Sequence, residues 1–138
     1  MKKILCLFSV LLILVSSVAC GGKGEVIDMS NYDERLTYIE LTKIVTDPKN
    51  YVGNTIKFSG DFMVQENSVT GERSYLCVVT DTTQCCSSYL EFDLGEDAVY
   101  PDDYPKANTR ITISGTLETY KRGSATLGKL LNVTVEQV

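Results

Sequence analysis

The stretch Ile56-Lys57-Phe58-Ser59-Gly60-Asp61-Phe62-Met63-Val64 decides the fold. Ile56, Phe58, Phe62 and Val64 alternate with Lys57, Ser59, Asp61 and Met63, the period of two that marks a half-buried strand. Gly60 interrupts the alternation, and a glycine inside a strand pattern signals a bulge or a sharp bend. A strand bent at its middle can serve both halves of one small sheet. Downstream, residues 75–80 form a second strand, apolar enough throughout to be buried on both faces, and residues 89–92 a third. Ile111, Ile113, Gly115 and Leu117 alternate with polar neighbours in a fourth, and Leu131, Val133 and Val135 mark a fifth. Residues 67–71 read as a turn and 121–128 as a loop, while 93–109, with Gly95, Pro101 and Pro105, read as a long ordered loop. Upstream, Thr37 and Glu40 have capping-box spacing, and Leu36, Ile39, Leu41, Ile44 and Val45 form a helical stripe that Asp47-Pro48 stops. The spacing predicts a helix over 37–46.

Five strands in so short a chain leave exposed edges unless the sheet closes on itself. The expected class is therefore all-β with one short N-terminal helix, and the five-stranded solution is an OB-like barrel. The helix precedes the first strand, and the Pro-containing loop joins the third to the fourth.

The chain has 138 residues, of which 43% are apolar and 22% charged, a globular composition large enough for one core and too small for two. It contains no histidine, which removes Ser-His and Cys-His nucleophile pairs, His-ligated metals and His general bases. The net charge is −5, and loss of Lys2 and Lys3 with a leader makes it −7. An acidic domain repels phosphate backbones, so no nucleic-acid partner is expected.

Lys2 and Lys3 precede an almost wholly apolar run from residue 4 to 15, then Ser16, Ser17, Val18 and Ala19 lead to Cys20. This is the pattern of an export signal, and the run is too short for a comfortable membrane span. Cys20, followed by Gly21-Gly22-Lys23-Gly24, resembles the lipobox of bacterial lipoproteins, whose cysteine becomes the acylated first residue of the mature chain. That resemblance implies residues 1–19 as signal peptide, a diacylglycerol and fatty acyl group on Cys20, a flexible tether over 20–33, and an OB-like domain over 34–138 on the extracytoplasmic face of the cell membrane. A multiply acylated cysteine anchors durably, since each buried CH₂ contributes about 0.8 kcal/mol.

Three further strings carry a second resemblance. Asp47-Pro48-Lys49-Asn50-Tyr51-Val52-Gly53-Asn54-Thr55-Ile56-Lys57-Phe58-Ser59-Gly60, Cys77 through Cys85-Cys86 followed by Leu90-Glu91-Phe92, and Tyr100-Pro101-Asp102-Asp103-Tyr104-Pro105 resemble small bacterial OB-fold lipoproteins of uncharacterised function. The Cys-Cys segment is more loosely similar to the extracytoplasmic domain of permease subunits. These likenesses imply a fold, a location and an envelope protein or permease as partner, and they imply no activity.

Cys77, Cys85 and Cys86 are the leading candidates for chemistry. Three thiols outside the cytoplasm permit one disulfide with one thiol left over, a Zn or Cu(I) site completed by Asp81 or Glu91, or thiol exchange. A bond between the adjacent pair needs a strained eight-membered ring, so Cys77 is the easier partner if the strands bring it within reach. The plainest expectation is that the three stabilise the fold. Glu91, Asp93, Glu96, Asp97, Asp102 and Asp103 put six carboxylates into 13 residues without a basic one. They read either as a solvated acidic loop or, with Tyr100 and Tyr104, as a surface for a ligand or partner. Gly123-Ser124-Ala125-Thr126-Leu127-Gly128-Lys129 imitates a phosphate-binding loop, but Leu130 stands where a Mg²⁺-binding hydroxyl is needed and a strand follows. The Phe residues read as core and the Tyr-Pro pairs as clamps on the long loop. The expected function is a non-catalytic, lipid-anchored binding module. The alternative is an envelope metal-binding or thiol-redox protein using Cys77, Cys85 and Cys86.

Overall fold

A computed structural model describes residues 24–138. The signal, the apolar run and Cys20 lie outside the described residues. The elements are β1 (Val26–Asp28), α1 (Glu34–Thr46), a 3₁₀ turn (Pro48–Tyr51), β2 (Thr55–Glu66), β3 (Arg73–Thr80), β4 (Ser87–Phe92), β5 (Arg110–Arg122) and β6 (Ala125–Gln137).

The sheet runs β1-β2-β3-β4-β6-β5, and a β2–β5 pairing closes it into a five-stranded barrel. This is the OB-like architecture expected from the periodicity. β2 works as two strands: residues 55–61 pair with β5 and residues 61–66 with β3. Gly60 stands at the changeover, where a Cβ would lie 2.7 Å from Val78 O and 2.8 Å from Cys77 Sγ. The bend thus requires a residue without a side chain. β4 and β6 run parallel and meet only at Glu91–Lys129 and Phe92–Leu130. Residues 93–109 hold turns and no helix, so the long loop is as expected.

The core follows the inward alternation of all five barrel strands: Phe58 and Phe62 of β2, Cys77 of β3, Leu90 and Phe92 of β4, Ile111, Ile113 and Leu117 of β5, and Leu130 of β6. Leu41 and Ile44 bring α1 into the same cluster. Each such fully buried side chain contributes about 1.5–3 kcal/mol of transfer free energy.

Three expectations are corrected. The helix begins at Glu34, not 37. Asp33 is its cap, accepting from Leu36 N at 2.7 Å, while Thr37 is turned inward and donates to Asp33 O at 2.8 Å. An aspartate with Glu34 behind it suits the positive helix start, so the capping-box pattern one turn later was a coincidence of spacing. The 20–33 segment is not all tether. Val26–Asp28 pair in parallel with Thr55–Lys57, on the β2 edge that β3 leaves uncovered, and Met29 is buried. The 121–128 loop is instead a two-residue turn between long β5 and β6 arms, closed at the Arg122–Ala125 pair. Beyond the Leu117–Leu130 pair the side chains of both strands are half-buried or exposed, so the apolar alternation that would have announced a strand is lost.

Candidate functional site

Two regions gather the chemically capable side chains. The first is the tip of the β3–β4 hairpin. The ladder ends at Thr80–Ser87, and Asp81 organises the turn beyond it. Asp81 Oδ1 accepts from the backbone amides of Cys85 (3.0 Å) and Cys86 (3.3 Å), and Asp81 N donates to Cys86 O at 2.9 Å. Thr83 Oγ1 donates to Asp81 Oδ2 at 2.7 Å and lies 3.2 Å from Cys85 Sγ. Gln84 takes a φ of 58°, a left-handed conformation uncommon for a residue with a side chain. In an extended strand adjacent side chains point to opposite faces. Here the turn brings both thiols to one side, with the sulfurs 3.3 Å apart and Cys85 Sγ 3.5 Å from Asp81 Oδ2. Donor atoms of Asp81, Cys85 and Cys86 lie within 4.8 Å of one another, and both cysteines are exposed. The hydrogen bond from Thr83 holds the Asp81 carboxyl below its usual range, and the neighbouring Cys85 thiol pushes Cys86 up.

Cys77 does not belong to this group. It is fully buried inside the barrel, paired across from Phe62 and Leu90. Burial, acting before any charge, pushes its thiol far above the ordinary range. It lies four residues down β3 from Asp81, about 13 Å at strand rise, far outside disulfide reach of a turn opposite Asp81. The three-cysteine site is therefore divided: Cys77 is core, and Cys85 and Cys86 are surface. Asp81 joins the pair and Glu91 does not.

The second region is a groove of about 110 Å³ where β4 and the β5–β6 arm diverge, lined by Val45, Leu76, Leu90 and Leu127 with Ser74, Tyr89, Glu91, Tyr120 and Arg122 among its polar members. Glu91 is its centre. Tyr120 Oη donates to Glu91 Oε2 at 2.6 Å, and Arg122 and Lys129 approach the same carboxylate at 3.6 and 3.5 Å. Burial, then the Glu91 contact, raises the Tyr120 phenol to about 12. A polar recess bordered by Gln65, Asn67, Glu72 and Arg122 continues the groove beneath the β2–β3 turn. Tyr120, Arg122 and Lys129 were missed in sequence because they lie within or beside the 121–128 stretch that reads as loop. The pairing that sets them around Glu91 spans 29 or more residues.

The acidic run does not act as one cluster. Asp93 pairs with Lys129 at 3.2 Å and receives Gly95 N. Asp103 ties its own loop, accepting from Val99 N at 2.8 Å, and Asp102 is exposed. Tyr104 is buried with its ring centroid 3.9 Å from that of Tyr75, while Tyr100 packs on Tyr75 and beneath Arg73. The two Tyr-Pro pairs therefore clamp the 93–109 loop across the barrel end, as expected; the Tyr100–Pro101 bond is cis.

These features define a closed five-stranded OB-like barrel with an exposed dithiol turn and a groove beside its third strand. No protein-family model matches the chain, and a comparison with curated proteins finds no similar sequence.

Proposed function

We propose that the chain is a membrane-anchored extracytoplasmic lipoprotein of the small bacterial OB-fold kind, acylated on Cys20, whose barrel is a non-catalytic binding module. The observation that carries the binding role is the groove at Glu91. Barrels of this topology take ligands on the face of their second and third strands, between the first and fourth hairpin loops. In this chain those elements are β3, β4, the β2–β3 turn and the β5–β6 arm, and they line the groove. Its apolar floor and its carboxylate, compensated by Tyr120, Arg122 and Lys129, suit a partner that supplies an apolar side chain and hydrogen bonds. Among the described residues the groove presents no nucleophile with an adjacent base, which supports binding over catalysis. An envelope protein or permease subunit is the proposed partner, and the acidic charge argues against nucleic acid.

Two measurements test this. Metabolic labelling with a fatty-acid analogue should mark the wild type and not Cys20→Ala; equal labelling overturns the anchoring. A photo-crosslinking residue in place of Tyr89, at the groove, should capture a discrete envelope protein in intact cells. The same residue in place of Glu136, on β6, should not; identical adducts from both positions refute the groove as the binding face.

A further inference from the structure

We propose that the tip of the β3–β4 hairpin is a capture site for one thiophilic d¹⁰ cation, Zn(II) or Cu(I), held by Cys85 Sγ, Cys86 Sγ and Asp81 Oδ2. This goes beyond the binding role of the groove and rests on none of its residues.

Three observations converge on it. The three donor atoms already lie within 4.8 Å of one another on an exposed turn. Neighbouring cysteines converge only because Gln84 adopts the left-handed conformation and Asp81 Oδ1 gathers both cysteine amides. Sparsely populated backbone conformations concentrate at ligand sites, where the surroundings over-determine them. Finally, Asp81 divides its oxygens: Oδ1 builds the turn, while Oδ2, which accepts from Thr83 Oγ1 at 2.7 Å, turns its remaining lone pair to Cys85 Sγ at 3.5 Å.

The geometry needs little adjustment. Two Zn–S bonds of ~2.3 Å at a tetrahedral angle place the sulfurs roughly 3.8 Å apart. They stand 3.3 Å apart, and exposed side chains can open by that margin without moving the ladder. Binding forms two S–metal bonds and one O–metal bond, displaces water ligands of the incoming ion and releases two thiol protons to solvent, with no change of oxidation state. Two thiolates and a carboxylate leave the fourth position open to water or to a donor on another molecule, the arrangement of an exchangeable site rather than of a closed structural one. Cys77, enclosed in the core, takes no part.

The test is titration of the reduced mature protein, cleaved and acylated at Cys20, with Cd(II), a spectroscopic stand-in for Zn(II), following the ultraviolet thiolate-to-cadmium band. The band should saturate at one Cd(II) per chain and persist in Cys77→Ala. It should vanish in Cys85→Ser and in Cys86→Ser, with circular dichroism spectra of both variants unchanged. Asp81→Asn keeps an oxygen for the two amides and removes the charge, and should weaken binding by about tenfold. A band that survives in the Cys85→Ser/Cys86→Ser double variant, or one that saturates at one Cd(II) per two chains, overturns the proposal. So does failure of the wild type to develop any band, or oxidation of the pair to a disulfide in place of metal uptake when Zn(II) and mild oxidant are offered together.

Discussion

Replacing Gly60 by alanine tests the bend on which the barrel depends. Gly60 is not among the residues with positive φ, so its backbone is one that alanine also adopts. Were the site open, the substitution would stabilise the protein by about 0.4–1 kcal/mol, through a less flexible unfolded chain. The neighbours reverse that sign. The new Cβ would meet Val78 O at 2.7 Å, Cys77 Sγ at 2.8 Å and Val78 C at 3.1 Å. Two of these are backbone atoms of β3, fixed by its pairing with β2 and β4, and the sulfur is locked in a core with no exposed exit. Overpacking of that kind costs about 1–3 kcal/mol, and backbone contacts put Gly60→Ala at the upper end. For a domain of this size a net loss of about 2–3 kcal/mol lowers Tm by roughly 8–12 °C. Urea unfolding followed by circular dichroism measures it. Adding Cys77→Ala removes the sulfur contact and leaves the carbonyl contact. The double variant should therefore be less destabilised than the sum of the singles, by about 0.5–1 kcal/mol. A Gly60→Ala protein as stable as the wild type, or a strictly additive double variant, would refute the account of the bend.

In the native protein, maleimide labelling read by peptide mass spectrometry should modify Cys85 and Cys86 and spare Cys77 until denaturant is added, as their exposure dictates. Cys77→Ser buries a hydroxyl among apolar groups and should cost about 1–3 kcal/mol in chemical denaturation. Removing the helix cap with Asp33→Ala should cost about 1 kcal/mol by the same assay, and Thr37→Ala should not reproduce a capping loss. The pH dependence has two edges, both measurable as Tm against pH. Asp28, Asp81 and Asp93 are held below the ordinary carboxyl range, chiefly by hydrogen bonds from Ser30, Thr83 and the Gly95 amide; their contribution is present above about pH 3.8 and is lost as pH falls through the folded-state values. Tyr120 is raised, so its contribution is complete below pH 10 and is lost as pH climbs towards about 12.

The barrel was legible because its information is local. The Ile56–Val64 alternation and the misplaced Gly60 state both the strand and its bend, and Asp47-Pro48 states where the helix must stop. What escaped reading depends on partners distant in sequence. Val26-Ile27-Asp28 is too short to show a period, and it is a strand only because β2 offers an uncovered edge. The arm carrying Tyr120 and Arg122 is at most half-buried, so no apolar alternation records it. The candidate site divides for the same reason. The three cysteines read together as one candidate group, but the strand parity that puts Cys77 inside and the Gln84 turn that gathers Cys85 and Cys86 outside are properties of the folded backbone. The carboxylates of the acidic run were visible as charge, while the cations that pair with Glu91 and Asp93, Arg122 on β5 and Lys129 on β6, were not.

The short strand β1 also sets a mechanical limit. A tether reaching from Cys20 to the helix at Glu34 would have 14 residues of slack, about 50 Å when fully drawn out. Because β1 is hydrogen-bonded to β2 from Thr55 onward, with Glu25 O accepting Thr55 N, an anchor at Cys20 as proposed would leave slack only up to Glu25, a reach of at most about 18 Å. That is little more than the radius of gyration of a domain this size, about 13 Å. A barrel held at Cys20 would therefore work close against the lipid surface, reaching only partners whose own contact face lies within a few nanometres of the bilayer. Tension on the leash would load the three-pair β1 ladder before any part of the barrel itself.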